Sequence, residues 1–340
     1  MTPGPDLRYL TGYDAMPMER LTCLVVRADG EAVLVVPRLE RPAAEASGIG
    51  RVVDILDWPE TADPVPMVAD MLPGVSRVAL NDQMWAQKAL RFRAAMPGVE
   101  QVAAGAILGE LRVRKTPEEV DALREAGAAI DRVHARMADW LRAGRTEREV
   151  GRDIADAIVA EGHVRVDFVI VAGGPNGASP HHEVSDRAIR PGEPVVVDIG
   201  GTTEAGYCSD STRTYSVGEP PAEFATAYDA LLRAQVAACD QARPGVTAES
   251  IDDAARAVLT DAGLGDYFVH RTGHGIGLET HEEPYIVAGN STALEPGMAF
   301  SIEPGFYLPG RYGARIEDIV VVTDDGVERL NRRPRELAIL

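Results

Sequence analysis

Cysteine is scarce: three fall in 340 residues, at positions 23, 208 and 239, and no two are spaced as CxxC. An odd number without that spacing encodes neither a disulfide framework nor a thiolate zinc site, so a reducing, cytoplasmic setting is expected. Basic charge is also short. Against 53 Asp+Glu stand 34 Lys+Arg, a net charge of −19, which disfavours nucleic acid and anionic membranes as partners because both are recognised through dense negative charge. No apolar run approaches the ~18–20 residues needed to span a bilayer, and the opening MTPGPDLRYLTGY lacks a basic n-region and an apolar h-region. There is no GxSxG nucleophile elbow and no HExxH zinc helix, and GHGIG does not sit in a strand–loop–helix nucleotide fingerprint.

What the chain does have is an ordinary globular composition, 45% hydrophobic and 26% charged, and length enough for two domains. From Leu21 to about Gly105, short apolar runs such as LTCLVV and AVLVV alternate with Pro- and Gly-rich turns, predicting a small α/β domain over residues 1–112. Thr116-Pro117-Glu118-Glu119 then supplies a helix cap, a first-turn proline and a capping-box acid, opening a second domain over residues 113–340. Its first helix carries Val120, Leu123, Gly127, Ile130, Met137 and Leu141 on one face and is expected to run to Gly144.

This second domain repeats itself weakly. LRAGRTEREVGRDIADAIVAEG (141–162) matches ARPGVTAESIDDAARAVLTDAG (242–263) at an offset of 101, each reading as a capped amphipathic helix. Further on, Pro191-Gly192 before EPVVVDIG matches Pro296-Gly297 before MAFSIEPG, which sets Asp198 over Glu303 at an offset of 105. A second acid follows in each half, Asp210 in YCSDSTRTYSV and Glu317 in GARIEDIVVV. Two half-sites about an approximate two-fold are implied.

An acid inside a Val/Ile/Phe strand costs several kcal/mol as a lone ion, so something positive must offset it. A solvated strand edge would explain any one of these acids, but not four at repeated spacing. No Lys or Arg lies within VVVDIG or FSIEPG, which leaves a distant arginine or a metal. In HRTGHGIGLETHEEP, His274 has glycine neighbours that would leave room for a ligand to approach. Four carboxylates, Asp198, Asp210, Glu303 and Glu317, balance two divalent cations, and with the neutral imidazole of His274 they suit a dinuclear hydrolytic site. Such an oxygen-rich set favours manganese or cobalt over a structural zinc.

The strings VVVDIGGTTEAGYCSDSTRT, RTGHGIGLETHEEP, AFSIEPG and ARIEDIVVV resemble the pita-bread metallopeptidases, in the branch of Xaa-Pro dipeptidase (prolidase) and aminopeptidase P. TPGPDLRYLTGY and RLTCLVV resemble that branch's creatinase-like N-terminal domain. The resemblance implies an α+β fold with a pseudo-two-fold catalytic domain, and hydrolysis of Xaa-Pro bonds in dipeptides or at the N-terminus of short peptides. It implies Asp198, Asp210, His274, Glu303 and Glu317 as ligands of two metal ions, most readily Mn2+ with Co2+ or Zn2+ as alternatives, Asp210 and Glu317 bridging. It implies Glu303 as general base toward the attacking water, with His181 and His281 hydrogen-bonding the substrate carbonyl and tetrahedral intermediate. Adjacent strand residues face opposite ways, which favours His181 over His182. By position alone, Arg315 either holds a ligand carboxylate or is a surface charge, Tyr207 and Thr212 either orient Asp210 or are ordinary strand packing, and His134, His163 and His270, with no motif around them, read as structural. A homodimer is the expected assembly.

Two departures stand out. The family's helix and first strand ahead of the TPGPDLRY-like segment are missing, so the N-terminal domain is expected to be shortened. Where some dipeptidases carry an arginine just after His-Glu-x-Pro to hold the dipeptide carboxylate, this chain has Tyr285. A metal-free pita-bread hydrolase or a non-catalytic binding module is the competing reading, against which the complete ligand set argues.

Overall fold

The computed structural model describes residues 1–340, which divide into two units, Met1–Arg112 and Val113–Leu340. In the first, helix α1 (Pro5–Thr11) precedes strands β1 (Cys23–Val26) and β2 (Ala32–Pro37), helix α2 (Arg41–Ala46) and strand β3 (Asp54–Trp58). Then come α3 (Pro64–Asp70), β4 (Arg77–Leu80), α4 (Ala86–Ala95), β5 (Glu100–Ala103) and α5 (Gly105–Arg112). β1 pairs antiparallel and β3 parallel with β2, while β4 and β5 form a separate parallel pair. Alternate residues of the apolar runs serve two cores. Cys23, Val25 and Val35 pack with Trp58 and Phe92, whereas Leu24, Leu34 and Val36 pack with Leu7 and Ile49. A sheet covered on both faces requires unbroken apolar runs, which accounts for LTCLVV and AVLVV. All three cysteines are free thiols, and no helix is long and apolar enough to cross a membrane.

The second unit opens on α6 (Pro117–His134), whose N-cap Thr116 forms a complete capping box with Glu119. The single helix expected up to Gly144 is in fact two, because the chain breaks at Ala135 and Arg136 and resumes as α7 (Met137–Trp140). Met137, Trp140 and Leu141 stay buried, so the apolar spacing persists across the break and does not reveal it. Next come α8 (Glu147–Ala160) and an antiparallel meander of β6 (His163–Gly173), β7 (Glu193–Thr203) and β8 (Cys208–Val217). The second half follows with α9 (Ala222–Gln241), α10 (Ala248–Asp261), β9 (Gly273–Gly275), β10 (Glu282–Ile286) and β11 (Ala299–Ile302). The hairpin β12 (Gly305–Leu308) and β13 (Tyr312–Arg315) leads into β14 (Asp318–Val322), β15 (Val327–Arg329) and β16 (Ala338–Ile339). Its main sheet has the order β10-β9-β11-β14-β15, and β16 returns to lie beside β8.

The internal repeat is carried by matching backbone bonds. Gly144 N–H donates to the Ile189 carbonyl at 2.8 Å and Gly245 N–H to the Leu294 carbonyl at 2.9 Å. Thr146 bridges Ala188 just as Thr247 bridges Ala293. Both glycines adopt left-handed φ, 90° and 84°, a conformation that disfavours a side chain. Each half has its own core, one around Ile154, Val197 and Tyr215 and the other around Phe224, Ile251 and Phe300. The helix caps differ, however. Thr146 forms a capping box with Glu149, but Thr247 makes no side-chain cap. Its third helical residue is Ser250, too short to reach back, and the Ser250 hydroxyl donates to the Thr247 carbonyl at 2.7 Å instead.

Candidate metal centre

In the β7–β8 ladder Asp198 lies opposite Thr212 and Gly200 opposite Asp210. Side chains alternate between faces, so the two acids are diagonal neighbours on one face. In the other half Ser301 pairs with Ile319 and Ile302 with Asp318. One step further along that register sets Glu303 against Glu317. The halves meet where Glu317 N–H donates to the Thr212 carbonyl at 3.1 Å and the Thr212 hydroxyl donates to Glu317 Oε2 at 2.7 Å. His274 is the middle residue of β9, between β10 and β11. Its glycine neighbours do not open space for a ligand, as the sequence suggested. A Cβ on Gly273 would lie 1.8 Å from the Ser301 carbonyl oxygen and one on Gly275 2.1 Å from that of Glu283, so these glycines admit the flanking strands.

The four acids and one imidazole expected as ligands are brought together in two overlapping trios. Asp198, Asp210 and Glu317 form one, and His274, Glu303 and Glu317 the other, with donor atoms within 4.8 Å of one another. His281 joins Asp210 and His274 in a third. His274 Nε2 lies 3.2 Å from Glu303 Oε1 and 3.7 Å from Asp210 Oδ2. Its Nδ1 is 3.1 Å from the Gly275 carbonyl oxygen, an acceptor that would keep a proton on Nδ1 and leave Nε2 as the ligating nitrogen when a cation is bound.

The distant arginine is Arg315, buried at the end of β13. It contacts Asp198, donates to the Tyr307 hydroxyl at 2.7 Å and to Thr212 Oγ1 at 3.0 Å, and lies 3.9 Å from Glu303. One guanidinium cannot offset four buried carboxylates. Burial, reinforced by the neighbouring carboxylates, holds Asp210 and Glu317 well above the usual carboxylate range. Burial also raises Asp198, with Arg315 pulling the other way. For Glu303 burial opposes ionisation, but the hydrogen bond from His274 and the charges of His274, His270 and Arg315 bring it down to about 2. Asp198 Oδ1 is buried with no hydrogen-bond partner. An oxygen-rich donor set with one imidazole, an orphaned carboxylate oxygen and surplus negative charge fits divalent cations, which would displace the protons such a cluster otherwise retains.

These groups form one side of a cavity of about 790 Å³. His181 lines it, whereas His182 turns away and places Nε2 2.8 Å from Glu147 Oε2. His281 also lines it, its ring 4.0 Å from that of His274. Burial and the neighbouring His274 and Arg271 charges bring the His281 pKa to about 4, so its ring is neutral near pH 7.

His270, expected to be structural, is held by the Arg271 carbonyl and by the Tyr307 hydroxyl, 2.9 Å from its Nε2, and also lines the cavity. Its position four residues before His274 in HRTGH was the available signal. Tyr207 does not orient Asp210, since its hydroxyl donates to Glu119 at 2.7 Å. His134 and His163 are buried away from the cavity, bonded to Tyr215 and Ser209. Two further acids, Glu147 and Asp252, are fully buried beside the site. Glu147 accepts from Gly173, Asn176 and Ser185 as well as contacting His182, tying down the segment that carries His181. Asp252 accepts from Thr272 and pairs with Arg256, which donates to the His270 carbonyl. Nothing in the local sequence separates these acids from ordinary helix-surface acids.

Residues 121–324 match the model of metallopeptidase family M24, and residues 1–114 that of the creatinase/prolidase N-terminal domain. The chain is 56% identical over 342 residues to the "Probable dipeptidase PepE" of Mycobacterium tuberculosis, covering 100% of this chain and 91% of the relative. It is 36% identical to the Xaa-Pro dipeptidase of Lactobacillus helveticus, covering 98% and 92%. The crystal structure of dipeptidase PepE from Mycobacterium ulcerans superposes with a TM-score of 0.94 at 57% identity, covering 99% of this chain and 91% of that one. With a creatinase-type N-terminal domain and a pita-bread catalytic domain, the chain belongs to the M24 metallopeptidases.

Proposed function

We propose that the protein is a dinuclear-metal Xaa-Pro peptidase in which Asp198, Asp210, His274, Glu303 and Glu317 hold two divalent cations. Manganese is the working ion of this reading, and a cytoplasmic homodimer its working form. The observation that carries it is the convergence of donors from both repeat halves, centred on Glu317, beside a cavity large enough for a short peptide. Bound divalent cations would polarise the scissile carbonyl and make water a nucleophile at neutral pH. Four carboxylates and Arg315 carry −3, so two such cations leave +1, which suits a developing oxyanion.

The chain's own residues do the rest. Glu303, held ionised beside His274, takes the proton of the attacking water and passes it to the departing amine. His181 and His281 line the same cavity and offer N–H donors to the carbonyl and its tetrahedral successor. Arg315 fixes Asp198 and is itself fixed by Tyr307 and Thr212. The half-buried Phe168 and Ile170 supply an apolar wall for a pyrrolidine ring. Proline's tertiary amide has no N–H to grip, so ring contact must supply the selectivity.

The test is the rate on Ala-Pro and Ala-Ala, measured after manganese loading and after chelation. The reading expects Ala-Pro to be cleaved preferentially, and only by the loaded protein. Full activity after exhaustive chelation, or faster cleavage of Ala-Ala, would refute it.

A further inference from the structure

Strand β6 carries one residue more than its partner. Val166 pairs with Gly201 of β7 and Phe168 with Gly200, so two steps along β6 match one along β7, and Asp167 is the extra residue of a bulge. The bulge changes which face each side chain takes. Val166 and Val169, three residues apart, pack against the same core, a placement that unbroken alternation forbids. Asp167 and Phe168, although adjacent, both line the cavity. There the Thr202 hydroxyl donates to Asp167 Oδ2 at 2.7 Å. An acid that belongs to none of the donor trios is thus turned onto the cavity wall.

The register sets its distance from the reacting bond. Asp210 lies opposite Gly200, and Thr202, which holds Asp167, is two residues further along β7, about 7 Å away. The α-ammonium of the residue before proline is within about 2.5 Å of the scissile carbonyl carbon, too close to that bond to reach Asp167. A lysine Nζ lies about 6 Å from its Cα at the end of an apolar stem, which matches the span. The path between is apolar as well. The Phe168 ring lies over Gly200, where an added Cβ would be 2.5 Å from Phe168 Cε1. With the pyrrolidine ring against Ile170 and the near side of Phe168, the stem passes the far edge of the same ring.

The chain itself shows that this place accepts a guanidinium. Arg165 Nε donates to Asp167 Oδ1, and Arg165 Nη2 donates to Thr202 Oγ1 at 2.8 Å. The Arg165 side chain is 66% exposed and that of Asp167 12%. An ion pair with so exposed a cation is held weakly, so a cation arriving through the cavity can take its place.

We propose that Asp167 is a specificity-determining residue that binds the cationic side chain of a lysine or arginine standing before proline, with Arg165 as its displaceable counter-ion in the free protein. The inference rests on the peptidase reading above and names its substrate class, peptides that open with Lys-Pro or Arg-Pro.

The test compares kcat/KM for Lys-Pro with that for norleucine-Pro, which keeps the stem and lacks the ammonium, in the manganese-loaded wild type, Asp167→Asn and Arg165→Gln. The wild type is expected to favour Lys-Pro by about 5- to 10-fold, mainly through KM, and to lose that preference as salt is raised. Asp167→Asn keeps an acceptor for Thr202 and loses the charge, so the ratio should fall to about 1. Arg165→Gln removes the competing guanidinium and should raise the ratio about 2- to 3-fold. Calorimetric affinities of lysine and norleucine, the matching products, read the same preference without turnover. Selective lysine binding by a protein that cleaves neither dipeptide therefore overturns the peptidase reading alone. A wild type that treats the charged and neutral ligands alike, an unchanged ratio in Asp167→Asn, or a ratio that fails to rise in Arg165→Gln overturns the proposal.

Discussion

In the first half of the catalytic unit Asp198 faces a guanidinium, that of Arg315, while in the second half Glu303 faces the imidazole of His274 at 3.2 Å. The two acids occupy matching places in the repeat, each beyond a Pro-Gly turn with left-handed glycine φ, 79° at Gly192 and 88° at Gly297. Duplication thus fixes where the backbone delivers a carboxylate, and later divergence decides what offsets it. Anchoring follows the same division: Glu147 secures the loop of His181, and Asp252 with Arg256 secures the loop of His270. On the proposed reading the first half supplies acids alone, whereas the second adds the nitrogen ligand and the proton carrier.

The sharpest way to break this comparison is to remove an acid that serves both halves. Asp210→Ala should lower kcat/KM on Ala-Pro by at least about 1,000-fold and reduce metal content in parallel, since Asp210 belongs to two donor trios, one with Asp198 and Glu317 and one with His274 and His281. Metal analysis and rates on the same sample check it.

Next in size is the guanidinium that contacts Asp198 directly and Glu303 only at 3.9 Å. Arg315→Met leaves Asp198 buried without its partner, and removing one member of such a pair costs about 3–5 kcal/mol. Chemical denaturation of the metal-free protein should show that loss, and manganese should restore part of it, because cations binding the folded state alone raise its stability.

A third difference lies behind the site. His134 in the first half is matched, 101 residues on, by Gln235. Burial, and then Arg213, lowers the His134 pKa from 6.5 to about 3, so between those values the unfolded chain binds a proton that the folded one refuses. Stability contributed by the neutral ring is therefore whole above pH 6.5 and is lost as pH falls toward 3. His134→Gln, which copies the second half, should remove that slope. Relative to its own value at pH 7, the variant should lose about 2–3 kcal/mol less than wild type by pH 4.5, at about 1.4 kcal/mol per pKa unit. Urea midpoints across that range check it.

The smallest expected effect concerns the helix caps. Thr146→Ala breaks a capping box and should cost about 1 kcal/mol, while Thr247→Ala removes a side chain that caps nothing and should cost a few tenths at most. Equal losses would mean that the two helix starts are less different than their hydrogen bonds indicate.

Much of this arrangement was legible in the sequence because period and turn chemistry are local. The capping motifs announced α6 and α8, and the Pro-Gly turns aligned Asp198 with Glu303 before any strand pairing was known. Long-range facts were not legible. Arg315 reaches Asp198 across 117 residues, and Glu147 looks like any first-turn glutamate until the 173–185 segment folds onto it. The glycines beside His274 are ambiguous in sequence because a close strand and a close ligand make the same demand, the absence of Cβ. His270 has no motif of its own, and its place on the cavity wall follows from its lying four residues before His274. Helix α6 breaks at Ala135 without disturbing the apolar spacing, so periodicity could not mark its end.

The account's central claim, a cage built jointly by the two halves, is tested most directly by metal stoichiometry. Protein stripped with chelator and titrated with manganese should bind two ions per chain, with Ala-Pro hydrolysis rising as the second site fills. Binding of one ion or none, with hydrolysis unaffected by manganese, would contradict it.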